Sequence, residues 1–153
     1  MYYLFIDGAH KIFEDSSSLG WGYVITDSNF NILEEEYGKP RKSANTSIQC
    51  ELEALYQGLK RVYESSKYVD KSICIYTDNE SIYDGIKGFS RRSSNREYWI
   101  GIENLFKKMI GRLNINHVKS HQPGENNIIK LNRRVDRLAN IGANSLLIGP
   151  VEI

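Results

Sequence analysis

The sequence predicts an α/β domain with a mixed sheet flanked by helices, and three observations carry that prediction. Three strand-like segments follow one another near the amino terminus, the hydrophobic period turns helical at about Ser47, and strand-like and helix-like segments alternate from there on. The first feature implies an antiparallel meander. The last implies a right-handed parallel crossover.

Tyr2 to Ile6 is a nearly continuous apolar run, the pattern of a strand buried on both faces, and Asp7 closes it. After a polar loop through Ser16-Ser17-Ser18, Gly20 to Thr26 reads as a second strand, Asp27-Ser28-Asn29 as a turn and Phe30 to Tyr37 as a third strand. Glu34-Glu35-Glu36 reads as that strand's solvent-facing end. From Ser47 onward Ile48, Leu52, Leu55, Leu59 and Val62 fall within roughly 40° of one direction on a helical wheel. On the same wheel Glu51 lies about 60° from the centre of the apolar stripe and Glu53 about 140°. Glu51 therefore flanks the core, and Glu53 is expected to face water.

Ile73 to Tyr76 is a further strand, ending in Thr77-Asp78-Asn79, where a helix carrying Ile82, Tyr83 and Ile86 begins. Gly85, Gly88 and Ser90 to Asn95 mark a break. Trp99, Ile102, Leu105, Phe106, Met109 and Ile110 then form another amphipathic helix, with Trp99 as its core anchor. A short strand, Leu113 to Val118, leads into a loop containing Pro123 and Gly124, and a last helix is expected from about Asn132 to Leu147. Its wheel turns Asp136 about 130° from the apolar face.

A chain of 153 residues fits one domain, residues 1–153, with a core that needs neither disulfides nor a structural metal. Cys50 and Cys74 sit in apolar stretches as small buried hydrophobes. No leader or membrane span is visible, so a reducing cytoplasmic setting and no membrane partner are expected. The net charge of +1 hides an asymmetry: residues 1–86 carry 8 Lys or Arg against 14 Asp or Glu, and residues 87–137 carry 12 against 4. A basic surface for phosphates beside an acidic site would produce that split.

Ligands of an open sheet gather beyond the carboxyl ends of parallel strands, and Asp7 and Asp78 are both placed at such ends. On adjacent strands they would lie about 4.8 Å apart, close enough to bridge cations. Glu51 would reach in from its helix, because a carboxyl at a buried border needs a partner or a metal. Clustered carboxylates of this kind point to a metal-dependent nuclease.

At these positions the chain resembles the type 1 ribonuclease H family over nearly its whole length. The landmarks occur in order: Ile6-Asp7-Gly8, Cys50-Glu51-Leu52-Glu53-Ala54-Leu55, Tyr76-Thr77-Asp78-Asn79, Asn95-Arg96-Glu97-Tyr98-Trp99, Val118-Lys119-Ser120-His121, and Asn132 through Asn140 around Asp136. The resemblance implies a ribonuclease H-like fold with five strands, three antiparallel and two parallel. It implies that Asp7, Glu51, Asp78 and Asp136 are catalytic carboxylates holding two Mg²⁺ ions, which Mn²⁺ can replace. His121 would be the loop histidine that moves a proton or assists product release. The implied reaction is endonucleolytic hydrolysis of the RNA strand of RNA–DNA hybrids to 5′-phosphate and 3′-hydroxyl ends, by a monomer.

The chain also departs from the family pattern. The Gly-Asn-Pro-Gly segment after the first strand is replaced by Ala9 to Asp15 and the serines, and Thr46-Ser47-Ile48 stands where Thr-Asn-Asn is frequent. Backbone groups, or Asn45, are the candidates to contact the RNA 2′-hydroxyls in its place. The segment before Trp99 is too short for a long basic protrusion, which leaves Arg91, Arg92 and Arg96 as candidate phosphate contacts. His10 and His117 read as packing or surface residues. A DNA nuclease or transposase of the same superfamily, and a catalytically silent hybrid-binding module, remain alternatives.

Overall fold

The computed structural model describes residues 1–12, 17–119, 124 and 126–144. Its elements are β1 (Tyr2–Ile12), β2 (Ser17–Thr26), β3 (Ile32–Gly38), α1 (Ser47–Glu64), β4 (Ile73–Thr77), α2 (Glu80–Lys87), α3 (Arg96–Lys108), β5 (Leu113–His117) and α4 (Asn127–Asn144), with a 3-10 turn at Ser66–Tyr68. The strands form one sheet in the order β3-β2-β1-β4-β5. β1 pairs antiparallel with β2, and β2 with β3; β1 and β4, and β4 and β5, run parallel. The five-stranded mixed sheet expected from the sequence is present.

Alternation along the strands sends side chains to two cores. Leu4, Ile6, Tyr23, Ile25, Ile73 and Ile75 pack with Leu52, Leu55 and Leu59 of α1 and Trp99 and Ile102 of α3. Phe5, Val24, Cys74 and Tyr76 pack on the other face against Leu131, Val135 and Leu138 of α4. Helix α1 starts where Thr46 accepts from the Gln49 amide and Gln49 reaches back to the Thr46 N–H, a capping box that satisfies two end donors. At α2, the Asn79 carboxamide oxygen accepts from Ile82 N at 2.9 Å, and Gly88 ends the helix in a left-handed conformation with φ 81°.

Several boundaries differ from those read in the sequence, each for a local reason. β1 does not stop at Ile6 but runs to Ile12, and β2 starts at Ser17, because the two pair over their full length. β3 starts at Ile32, since the Asp27 carboxylate collects the N–H groups of Asn29 and Asn31 at 2.9 and 3.0 Å and turns the chain through Phe30, whose φ is 65°. α4 starts at Asn127 because the Asn126 side chain accepts from Ile129 N at 2.9 Å. Glu34 and Glu35 do not simply face solvent: Glu34 pairs with Arg61 at 2.6 Å and Glu35 with Arg134 at 2.5 Å, on opposite faces of the sheet. Cys50 and Cys74 are free and buried. Among the described residues no helix is long and apolar enough to cross a membrane.

Candidate active site

Asp7 is not at the end of its strand; it sits where β1 outruns β4. The parallel register sets Phe5 against Tyr76, and β4 ends at Thr77, so continuing the pairing brings Asp78 level with Asp7. Phe5 and Ala9, two residues either side of Asp7, both pack against α4, which puts the Asp7 side chain on that face. Gly8 faces the opposite way. A Cβ built on it would stand 2.6 Å from Glu51 N and 2.7 Å from Cys50 Cβ, so only glycine lets α1 rest directly on the β1 backbone. That contact carries Glu51 to Asp7.

One carboxylate oxygen each from Asp7, Glu51 and Asp78 lies within 4.8 Å of the others. Asp7 and Glu51 are buried, at 4% and 5% exposure, and Asp78 is half-buried. Burial pushes the Asp7 carboxyl well above the usual range; a hydrogen bond with Glu51 acts in the other direction, while the charges of Asp78 and Asp136 add to the rise. Glu51 is raised well above its ordinary value, first by burial and then by the neighbouring Asp7 charge. Its Oε2 is buried without a hydrogen-bond partner. Three convergent hard oxygen donors, two of them unable to ionise comfortably and one with an orphaned atom, fit a divalent cation and fit nothing apolar.

The α4 side of the site is more open. Gly20 admits the helix here, since a Cβ on it would lie 2.3 Å from the Ala139 carbonyl oxygen. Lys39 Nζ, 2.7 Å from the Ala143 carbonyl oxygen, secures the last turn. Asp136 is half-buried and stands outside the group of three carboxylates, although its charge reaches Asp7. It lines a cleft of about 30 Å³ together with Asp78, Val118, Lys119, Ile129, Asn132 and Arg133. Thus the structure brings Asp7, Glu51 and Asp78 together and places Asp136 in a cleft that Asp78 also lines. His121 lies outside the described residues.

Asn132 belongs to a motif visible in the sequence but carried no assigned role there. It is buried at 7% exposure, and its Oδ1 has no hydrogen-bond partner. The signal available was its position one turn before Asp136, which puts both on one flank of α4. His117, expected to be a packing or surface residue, places Nε2 3.3 Å from the Asp78 carbonyl oxygen, with its ring against Tyr83.

Other expectations change with the packing. Glu53 is buried rather than water-facing, because the segment before α1 folds over it: Arg41 Nε pairs with its carboxylate at 3.2 Å while stacking on Tyr98, and Gln57 donates to it at 3.0 Å. Trp99 is a core residue at 6% exposure. Arg92 and Arg96 bridge to Glu103 at 3.1 and 2.7 Å, and Arg92 also donates to the Gly85 carbonyl at the end of α2, so both are tied into structure. Arg91 instead lines a cavity of about 420 Å³ with Asn79, Ser81, Ser94 and Asn95. Asn45 is exposed at the start of α1, where its N–H donates to Gln49.

A family model described as RNase H matches residues 1–144. Among solved structures, the chain is similar to LC11-RNase H1, isolated from compost and crystallised in complex with an RNA/DNA hybrid (22% identity, TM-score 0.76, 96% of this chain and 99% of that one). It is also similar to RNase H1 from the halophilic archaeon Halobacterium salinarum NRC-1 (18% identity, TM-score 0.71, 94% and 98%). A third similar structure is the RNase H domain of prototype foamy virus (20% identity, TM-score 0.69, 94% of both chains). No protein of curated function matches the chain.

Proposed function

This chain belongs to the RNase H family, and we propose that it hydrolyses the RNA strand of RNA–DNA hybrids endonucleolytically, leaving 5′-phosphate and 3′-hydroxyl ends. The observation that carries the proposal is the convergence of Asp7, Glu51 and Asp78 within 4.8 Å, with Asp136 in a cleft that Asp78 also lines. Similarity to an RNase H1 crystallised with an RNA/DNA hybrid supports the substrate.

Asp7, Glu51, Asp78 and Asp136 would hold two Mg²⁺ ions, with Mn²⁺ as a substitute. Bound there, divalent ions supply an activated water and offset the charge growing on the departing 3′-oxygen. The chain itself contributes position. Burial of Asp7 and Glu51 keeps water from screening their charges, and the Gly8 contact fixes their separation before any substrate arrives. Asn132 offers an acceptor to a hydrated ligand in the cleft. His121 is assigned the movement of a proton or assistance in product release. Arg91, Ser94 and Asn95 line a cavity suited to backbone phosphates. The same reading makes the protein a monomer of the reducing cytoplasm, in keeping with its two free buried cysteines.

Incubating the purified protein and Mg²⁺ with end-labelled RNA–DNA hybrid, double-stranded RNA and double-stranded DNA tests the proposal. Cleavage confined to the RNA strand of the hybrid is the expected result. Cleavage of DNA duplex alone would replace it with a DNA nuclease, and hybrid binding without cleavage under either metal would replace it with a binding module.

A further inference from the structure

Helix α4 carries Lys130, Arg133, Arg134 and Arg137 at the spacing i, i+3, i+4, i+7, which places four cations on one flank. The flank about 120° round the helix, Leu131, Val135 and Leu138, is buried against the sheet, so the cationic one turns outward. Lys130, Arg133 and Arg137 are exposed. With Ile32 and Leu131 the four line a surface concavity of about 410 Å³. Glu35 neutralises Arg134 through two contacts, at 2.9 and 2.5 Å, and pins the stripe to β3.

The stripe is continuous with the acidic site. Arg133 lines both this concavity and the cleft that holds Asp78 and Asp136. From Lys130 to Arg137 the helix rises about 10 Å, the axial length of about three nucleotides of one strand.

We propose that this flank of α4 is a second nucleic-acid contact surface, which grips backbone phosphates beyond the scissile one on the duplex held at the acidic site. The inference rests on the hybrid-hydrolase reading above and adds where the duplex is held. Phosphates rather than bases are the partner, because a row of long cationic side chains, one of them (Arg133) also donating to the Gly124 carbonyl oxygen at 2.6 Å, matches a line of charge.

The test measures binding of a labelled hybrid by fluorescence anisotropy between about 50 and 200 mM salt, in an Asp78→Asn background that prevents turnover. K130Q/R137Q is expected to bind about tenfold more weakly at the midpoint of that range, with the slope of log affinity against log salt shallower by roughly 1 to 2. The charge-preserving K130R/R137K should keep the parent slope, which separates loss of charge from disturbance of the helix. A K130Q/R137Q protein with an unchanged slope overturns the proposal. The two readings fail separately: a parent chain that cleaves no hybrid defeats the hydrolase reading, whereas a cleaving chain whose double variant keeps its slope defeats only this surface.

Discussion

The buried half of the acidic site and its open half, on α4, are held by different means. Asp7 and Glu51 are buried and placed by main-chain contact, since Gly8 lets helix backbone meet strand backbone. Asp136 and Asn132 project from a helix over a cleft, where Asp136 remains half-exposed. Electrostatic stress follows this division: the buried carboxyl groups have sharply raised proton affinities, through burial first and then through neighbouring carboxylate charge, from Asp7 on Glu51 and from Asp78 and Asp136 on Asp7. The fixed half is where a cation is needed for the charges to coexist. The open half has room to admit and release ligands.

The largest effect expected from this contrast is on the fixed half. Asp7→Asn should lower hybrid cleavage about 10³-fold or more and abolish the rise in melting temperature produced by Mn²⁺, read in a nuclease assay and a thermal shift. Asp136→Asn should lower cleavage about 100-fold yet keep most of the Mn²⁺-induced shift, because the three-carboxylate group survives. Equal loss of the metal shift in both variants would erase the distinction between the halves.

The pH dependence of stability sharpens it further. Without metal, folded Asp7 and Glu51 retain protons that the unfolded chain releases once pH exceeds the ordinary carboxylate range near 4, so the native state binds more protons and stability falls as pH rises. Asp7→Asn removes part of that penalty. In metal-free buffer it should be more stable than the parent at pH 8 by about 2 kcal/mol, with the gap closing toward pH 4, as measured by urea unfolding. Added Mg²⁺ should reverse the order by stabilising only the parent. A gap that stays constant with pH would show that the buried carboxyl carries no such stress.

The smallest effect is expected at Asn132. Asn132→Ala should weaken Mn²⁺ binding about tenfold, the size seen when a group that orients a metal's surroundings is lost, with calorimetric titration as the readout. Unchanged affinity would reduce Asn132 to a packing residue.

Much of this site is legible in the sequence alone. Asp7, Glu51 and Asp78 stood out because period and strand-end position single them out among 19 acidic residues. What misled was local pattern read without its neighbours. Glu53 lies on the outer side of α1's own wheel, but Arg41 and Tyr98 cover it from other segments. Asp7 seemed to end its strand because the apolar run stops there, whereas β2 continues to pair with β1 as far as Ile12. Asn132 was overlooked because burial of an amide without a partner is a property of surroundings and leaves no mark in composition.

The sequence by itself determined the order of strands and helices, the α1 stripe that buries one flank and leaves Glu51 at its border, and the family whose landmarks recur along the chain, since these depend on local period and residue type. Only the tertiary structure decided how far apart the carboxylates stand, which of them lose water, and that α4 turns a cationic flank outward beside them. Those properties arise from register between strands distant in the chain and from the close approach of helices at Gly8 and Gly20, contacts that no local window of sequence contains.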